Sequence, residues 1–301
     1  MEIALIGLGK MGANMAQRLI SGGHRVYVYD LNPETVQSTI EKGCIAVDTL
    51  ENIKSSLAPP RAVWVMVPAG LPTETTLETL STILEPGDIV IDGGNSYYKD
   101  SIRRANQLNA KGLHFIDIGT SGGIWGLKEG YSLMIGGASE IVHHLQPIFE
   151  TLAPGLDQGW GRVGPNGAGH FVKMIHNGIE YGLMQAYAEG FELMSRKEDF
   201  NLDLAQIAEI WRYGSVVRSW LLDLTSRALE ENPSLEGIAP YVPDSGEGRW
   251  TVLESVELGC AIPVITLALQ KRFLSRDDSP FSNRLLAALR NQFGGHEVKH
   301  I

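Results

Sequence analysis

The residues best suited to proton chemistry lie between positions 173 and 181. They are Lys173, His176, Asn177, Glu180 and Tyr181, within the run His170-Phe-Val-Lys-Met-Ile-His-Asn-Gly-Ile-Glu-Tyr-Gly182. Their spacing of three, one, three and one puts them on one face of a helix that turns about 100° per residue. The other positions, Phe171, Val172, Met174, Ile175, Ile179, Leu183 and Met184, suit burial. A solvated face is the plain alternative for such a stripe. Solvated faces seldom combine Asn-Gly and Tyr with one Lys and one Glu, and a polar cleft at a domain interface fits better. In such a cleft, loss of water would make Lys173 readier to give up its proton and so able to take one from an alcohol, with Glu180 as its partner. That pair needs no metal. Elsewhere no His, Cys or Asp cluster has ligand spacing, and His143-His144 is expected on a solvated helix, so no metal is expected.

A second group of residues points to a cofactor. Gly7-Leu8-Gly9-Lys10-Met11-Gly12 follows a short apolar run directly and precedes a helix-length segment. In this pattern the first glycine makes the tight turn and the second lets the backbone approach a pyrophosphate. The third lets helix and strand pack closely, with the helix N-terminus facing the phosphates. Asp30, at the end of the next apolar run, is placed to accept hydrogen bonds from an adenosine ribose diol and to repel a 2′-phosphate. Leu31, Asn32 and Pro33 supply no arginine for such a phosphate, so the chemistry favours NAD over NADP. The alternative is a turn or helix-capping Asp in an α/β domain that binds no nucleotide.

The elements that must position these groups divide into two textures. Up to about residue 165, short β-branched runs at Ile3–Ile6, Val26–Tyr29, Val63–Val67, Ile89–Ile91, Phe115–Ile118 and Leu133–Ile135 alternate with helix-length segments. This reads as a Rossmann-like, mostly parallel sheet covered by helices, an α/β domain over residues 1–165. From 166 to 301 long amphipathic segments take over, at His170 to Arg196, Leu202 to Leu229, Thr251 to Leu274 and Asn283 to Asn291. They predict an all-helical domain for substrate binding and oligomerisation, with a Pro- and Gly-rich loop from Asn232 to Gly248.

Bulk composition sets the outer bounds. The 301 residues are 44% hydrophobic and 20% charged, with a net charge of −10 and no Lys/Arg-rich stretch, which argues against a nucleic-acid partner. No apolar run approaches a bilayer span and no cleavable leader is visible, so no membrane partner is expected and the cytoplasm is the default location. Cys44 and Cys260 read as two unrelated buried thiols in a reducing compartment.

Taken together, these motifs closely resemble the 6-phosphogluconate dehydrogenase family within the β-hydroxyacid dehydrogenase superfamily. The resemblance runs through Ile6-Gly-Leu-Gly-Lys-Met-Gly-Ala-Asn-Met15, Asp92-Gly-Gly-Asn-Ser96 and Ser121-Gly-Gly123. It continues through Gly167 to Gly182, Gly246-Glu-Gly-Arg-Trp-Thr251 and Arg290-Asn-Gln-Phe-Gly-Gly-His296. At this length the chain looks like a short form of the family. The resemblance implies oxidative decarboxylation of 6-phosphogluconate to ribulose 5-phosphate and CO2 with reduction of NAD, a step of the pentose phosphate pathway. It implies Lys173 as the general base at the C3 hydroxyl, Glu180 as the acid that protonates C1 of the enediol left after CO2 departs, and Asn177 beside them. Asn95, Ser121, Gly122, Gly123 and His176 match substrate-orienting positions, and Asn95 also borders the cofactor. Tyr181 and Arg272, with Arg290 and His296 from a neighbouring subunit, match the phosphate-binding set. A homo-oligomer, dimer or tetramer, follows, and Val252, Val256, Val264, Leu267 and Leu269 are candidates for its apolar face.

Three positions depart from the family pattern. Asp30-Leu31-Asn32 stands where the family often has Asn-Arg-Thr, which supports NAD. Ser245-Gly-Glu-Gly248 replaces a loop that often reads Lys-Gly-Thr-Gly, and Glu247 would oppose a phosphate unless it turns away or meets Arg249. Pro68 stands where a lysine is common, and nothing is drawn from it. Two other functions stay open: an NAD-dependent dehydrogenase of a non-phosphorylated 3-hydroxy acid such as gluconate or 3-hydroxyisobutyrate, and a non-catalytic nucleotide-binding protein on the same fold.

Overall fold

The computed structural model describes residues 1–299. The chain forms two compact units, Met1–Met174 and Ile175–Ile301. In the first, strands and helices alternate: β1 (Glu2–Ile6), α1 (Lys10–Ser21), β2 (Arg25–Tyr29), α2 (Pro33–Ile40), β3 (Ile45–Ala46), α3 (Asn52–Ser56), β4 (Ala62–Val65), α4 (Leu71–Ile83), β5 (Ile89–Asp92), α5 (Tyr98–Asn109) and β6 (His114–Ser121). There follow α6 (Gly126–Glu129), β7 (Ser132–Gly136), α7 (Ser139–His144), α8 (Gln146–Leu152) and β8 (Trp160–Gly164). The eight strands form one sheet in the order β3-β2-β1-β4-β5-β6-β7-β8. Within this sheet, among the described residues, β6 and β7 pair antiparallel and the other neighbouring strands pair parallel.

Strand alternation sorts the apolar runs onto the two sheet faces. Ile3 and Leu5, Val26 and Val28, and Ile89 and Ile91 pack with Met15 and Leu19 of α1 and with Ile148, Phe149 and Leu152 of α8. Ala4 and Ile6, Val63 and Val65, and Val90 pack on the other face with Leu77 and Leu80 of α4 and Leu108 of α5. Both faces are covered, which is why these strands read as continuous apolar runs rather than as alternation. Each fully buried Val, Leu, Ile, Phe or Met among them contributes about 1.5–3 kcal/mol.

The helix α9 (Ala168–Ser195) passes from the first unit into the second. The second unit also holds α10 (Leu204–Trp211), α11 (Trp220–Glu231), α12 (Glu247–Glu257), α13 (Pro263–Leu274) and α14 (Phe281–Gly294). Two expected long helices are each divided. Between α10 and α11, Gly214 takes a left-handed φ of 72°, and Ser219 caps α11 by accepting the Leu222 N–H. Between α12 and α13, Gly259 has φ 63° and Pro263 opens the next helix. The apolar period carries on across both breaks, so it conceals them. Strands β3 and β8 carried no periodic signal: one has two residues, and the other includes two glycines with Arg162 and Val163 exposed.

Two expectations about side chains need correction. Cys44 is buried, but Cys260 is exposed, because it lies in the connection between α12 and α13 rather than on either helix's inner face. Leu269 is buried with Tyr181 and Ala268, and Val252 packs against them, so these two serve their own unit's core. Val256, Val264 and Leu267 are exposed. Among the described residues no helix is long and apolar enough to cross a membrane.

Candidate active site

The glycine-rich turn has the geometry its sequence requires. Gly7 adopts φ 91°, and a Cβ there would lie 2.7 Å from the Met66 carbonyl oxygen. Gly12 sits so close to Gly7 that a side chain would strike the Gly7 carbonyl. Gly9, just before α1, has open space where a Cβ would stand, leaving its backbone approachable. Leu8 turns its side chain into the core while its N–H donates to Asp30 Oδ2 at 2.6 Å. Asp30 Oδ1 accepts the Asn32 N–H at 2.8 Å. The carboxylate is thus fixed beside the turn, with lone pairs left for a ribose diol. Lys10 is exposed, Met11 half-buried and Leu31 87% exposed. An open backbone at the second glycine next to a fixed carboxylate fits a dinucleotide, and these residues would hold it.

Asn95 and Ser121 come from two neighbouring strand ends. The turn after β5 is tied to Asp92, whose carboxylate accepts Gly94 N–H at 3.2 Å and Ser96 Oγ–H at 2.8 Å. Arg104 of α5 reaches the same carboxylate at 3.1 Å and Glu74 at 2.9 Å. This buried network leaves Asn95 exposed at the tip of the turn. The turn after β6 needs glycine for a different reason. Gly122 has φ 136° and lies on the ring of Tyr131, where a Cβ would be 3.1 Å from Cδ1. Gly123 also takes a positive φ, 53°. Tyr131 is fully buried, and burial pushes its phenol up to about 12, so it supports the loop as a neutral group.

Lys173 lies in the first unit's part of α9 and is only 8% exposed. His176, Asn177, Glu180 and Tyr181 follow along the same unbroken helix, in the second unit. Asn177 is buried; His176 and Glu180 are partly exposed. His176 Nδ1 lies 3.2 Å from Asn177 Oδ1 and 3.9 Å from Glu180 Oε2. Gly178 lets α12 approach, since a Cβ there would stand 2.8 Å from Thr251 Cγ2, and Gly182 lies against Val264 of α13.

Tyr181 is the centre of a second cluster. The Arg272 guanidinium lies over its ring at 3.4 Å and donates to the Pro243 carbonyl at 3.0 Å. The Tyr181 hydroxyl accepts the Ser245 N–H at 3.4 Å. Ser245 Oγ donates to Glu247 Oε2 at 2.6 Å, and Glu247 is buried. Arg249 turns to Asp244 instead, at 2.5 Å, and Arg276 joins Asp244 at 2.9 Å. Glu247 thus holds the loop serine. Arg290 on α14 and His296 just beyond it are exposed. Sequence reading missed Asp92, Arg104, Asp117 and Glu247 as organising groups. A carboxylate inside a strand apolar on both faces, as in Ile89-Val-Ile-Asp92 and Phe115-Ile-Asp-Ile118, was the available signal.

A parallel sheet with a glycine turn after β1 and a carboxylate closing β2 defines the first unit as a dinucleotide-binding domain of the Rossmann class. Residues 2–161 match the family described as the NAD binding domain of 6-phosphogluconate dehydrogenase, and residues 169–288 match the C-terminal domain of 6-phosphogluconate dehydrogenase. The chain belongs to the 6-phosphogluconate dehydrogenase family. It is 44% identical to the Bacillus subtilis protein YqeC over 299 residues, 99% of each chain. It is 42% identical to the NAD(+)-dependent, decarboxylating 6-phosphogluconate dehydrogenase of Haloferax volcanii, over 99% of this chain and 98% of that one. The solved 6-phosphogluconate dehydrogenase of Plasmodium falciparum, described with NADP+ and with 6-phosphogluconate, superposes with a TM-score of 0.84 at 28% identity. That match covers all of this chain and 66% of the other.

Proposed function

We propose that the chain oxidises and decarboxylates 6-phosphogluconate to ribulose 5-phosphate and CO2, with NAD as the preferred acceptor. The observation that carries this reading is the unbroken helix α9, which bears Lys173, His176, Asn177, Glu180 and Tyr181 in helical register with Lys173 and Asn177 buried. The nicotinamide, when bound, supplies the hydride acceptor. Lys173 Nζ takes the proton of the C3 hydroxyl as C3 is oxidised to a ketone. The product is a β-keto acid, so its C1 carboxylate leaves as CO2, and the protonated Lys173 stabilises the negative charge that develops on the C3 oxygen. Glu180 then delivers a proton to the carbon that carried the carboxylate, giving the ketose phosphate. Dividing proton traffic between two groups suits a sequence that needs a base in one step and an acid in another. Asn177, His176, Asn95 and the Ser121–Gly123 turn orient the substrate.

Asp30 supports NAD over NADP. Its carboxylate is fixed by two backbone N–H groups, so it meets a 2′-phosphate with like charge rather than swinging clear. Tyr181 and Arg272 of one chain, with Arg290 and His296 of a second copy, form the phosphate set. The exposed Phe281, Leu285, Leu286 and Leu289 of α14, and Val264 and Leu267 of α13, favour a homo-oligomer. One observation favours a second reading, a non-phosphorylated 3-hydroxy acid such as gluconate: Ser245 is bound to Glu247 and Arg249 to Asp244. Rates with 6-phosphogluconate, gluconate and 3-hydroxyisobutyrate, each with NAD and NADP while following CO2, separate these readings. A higher kcat/KM for gluconate than for 6-phosphogluconate would overturn the first.

A further inference from the structure

The first turn of α9 is held from below by a group no motif singled out. Asp117, in the middle of β6, is completely buried. Its Oδ1 accepts the Gly167 N–H at 2.6 Å, and its Oδ2 accepts the His170 N–H at 3.0 Å. Both donors belong to the set that a helix start leaves without intrahelical partners. A serine or threonine beside the helix would satisfy them without burying a charge, whereas a buried carboxylate carries a desolvation cost that only strong, well-aligned donors offset. The choice of aspartate therefore calls for a reason beyond capping.

The reason lies two residues along the same strand. Alternation puts Asp117, Gly119 and Ser121 on one face of β6. A Cβ on Gly119 would run into the Cβ of Lys173 and come within 2.8 Å of the Gly169 carbonyl oxygen. Gly136 on β7 is equally bare: a Cβ there would stand 2.7 Å from the Gly169 N. Gly169 in turn would bring one within 2.6 Å of the Met134 carbonyl. These three glycines let the helix backbone rest directly on the sheet, and Asp117 fixes it along and about its axis. His170 adds a lateral tie, its Nδ1 lying 2.7 Å from Ser101 Oγ of α5.

We infer that Asp117 is a positioning residue for Lys173: by gripping the first turn of α9 over a glycine-lined seat, it sets where the lysine one turn further on presents its amine. This rests on the assignment of Lys173 as the base. Strand β6 then places the grip, the clearance for Lys173 and the substrate-orienting Ser121 in successive two-residue steps of about 7 Å. The base and the substrate turn are thereby indexed to one strand.

Asp117→Asn tests it, because asparagine keeps the size but must offer an NH2 donor to one of the two N–H donors. Rates are taken well below the unfolding transition and normalised to nucleotide-binding sites counted by NADH titration. We expect kcat per site to fall roughly 10- to 100-fold, with KM for 6-phosphogluconate changed by less than about threefold, as for a misplaced reactive group. A simple cap would lower the unfolding temperature and leave kcat per site within twofold, which would overturn the inference. Asp117→Ser, which offers a hydroxyl acceptor without a buried charge, decides the question if Asp117→Asn does not fold; unchanged kcat per site there counts equally against the inference. Lys173→Met is run in parallel. If that variant stays active, the base assignment fails by itself, whatever Asp117→Asn does.

Discussion

Replacing Glu74 by Gln should remove a stabilisation of the Asn95 turn that depends on pH in a defined direction. Arg103 forks onto both Glu74 oxygens at 2.7 Å, and Arg104 Nε reaches Oε2 at 2.9 Å while its Nη1 holds Asp92 at 3.1 Å. Arg103 above all, then Arg104, draws the Glu74 carboxyl down to about 2 from its ordinary 4.5. Because the folded form holds this group below its unfolded value, its contribution is fully present above about pH 4.5 and is lost as pH falls through about 2. At about 1.4 kcal/mol per pH unit the effect is bounded near 3 kcal/mol. Glu74 is 24% exposed, and solvent screening reduces the expected value to about 1–2 kcal/mol. The assay is urea unfolding from pH 7 to pH 2, read by hydrogen exchange in the β5–α5 segment, because guanidinium would screen the ion pairs and two units need not unfold together. The stability difference between wild type and Glu74→Gln should be constant down to about pH 5 and shrink toward zero by about pH 2. A difference that does not vary with pH would show that the depressed carboxyl plays no part.

The remaining predictions concern the chemistry. Lys173→Met should abolish oxidation and decarboxylation while leaving NAD binding intact; a residue above about a tenth of wild-type kcat is incompatible with a base worth the usual 10²–10⁴-fold. Glu180→Ala should lose turnover yet retain partial reaction in single-turnover measurements, because in the proposed reaction its proton is needed only after CO2 has left. Asp30→Asn combined with Leu31→Arg should shift kcat/KM toward NADP, and a wild type already faster with NADP would refute the charge argument. Mixing Lys173→Met with Arg290→Ala subunits should restore activity in hybrids if Arg290 acts in trans; exchanged subunits with no recovery, or an active monomer by light scattering, would exclude a shared site.

How much was legible depended on whether a signal was local. The glycine turn, Asp30 and the strands around them could be read because one short segment contains both the constraint and its reason. The α9 stripe was readable for the same cause, since helical period alone puts Lys173, Asn177 and Glu180 in register. What escaped involved pairs distant along the chain. Asp117 meets Gly167 and His170 from another strand, and Arg104 joins Asp92 to Glu74. Glu247 could be suspected of opposing a phosphate, but its hydrogen bond to Ser245 could not be read from the sequence. Cys260 was misplaced because its neighbours on either side are apolar helices, while the break at Gly259 brings the thiol to the surface.

The glycines of α9 carry the remaining physical argument. A helix of 28 residues with glycines at 169, 178, 182 and 190 forgoes about 1 kcal/mol at each relative to alanine. Gly190 has open space around it, and nothing in the structure explains it. The other three each meet a neighbour at a distance no side chain would allow or only a small one: β6 and β7 at Gly169, α12 at Gly178, and α13 at Gly182. Their positions follow the polar stripe. Gly169 is one turn before Lys173, Gly178 follows Asn177, and Gly182 follows Tyr181. Where the helix presents a polar group, its flank is cut back so that the supporting element bears on backbone rather than on a flexible side chain. Backbone contacts have few alternative arrangements, whereas rotamers have several. The helix thus gives up intrinsic propensity in the turns that bear Lys173, Asn177 and Tyr181, and packing against bare backbone replaces it.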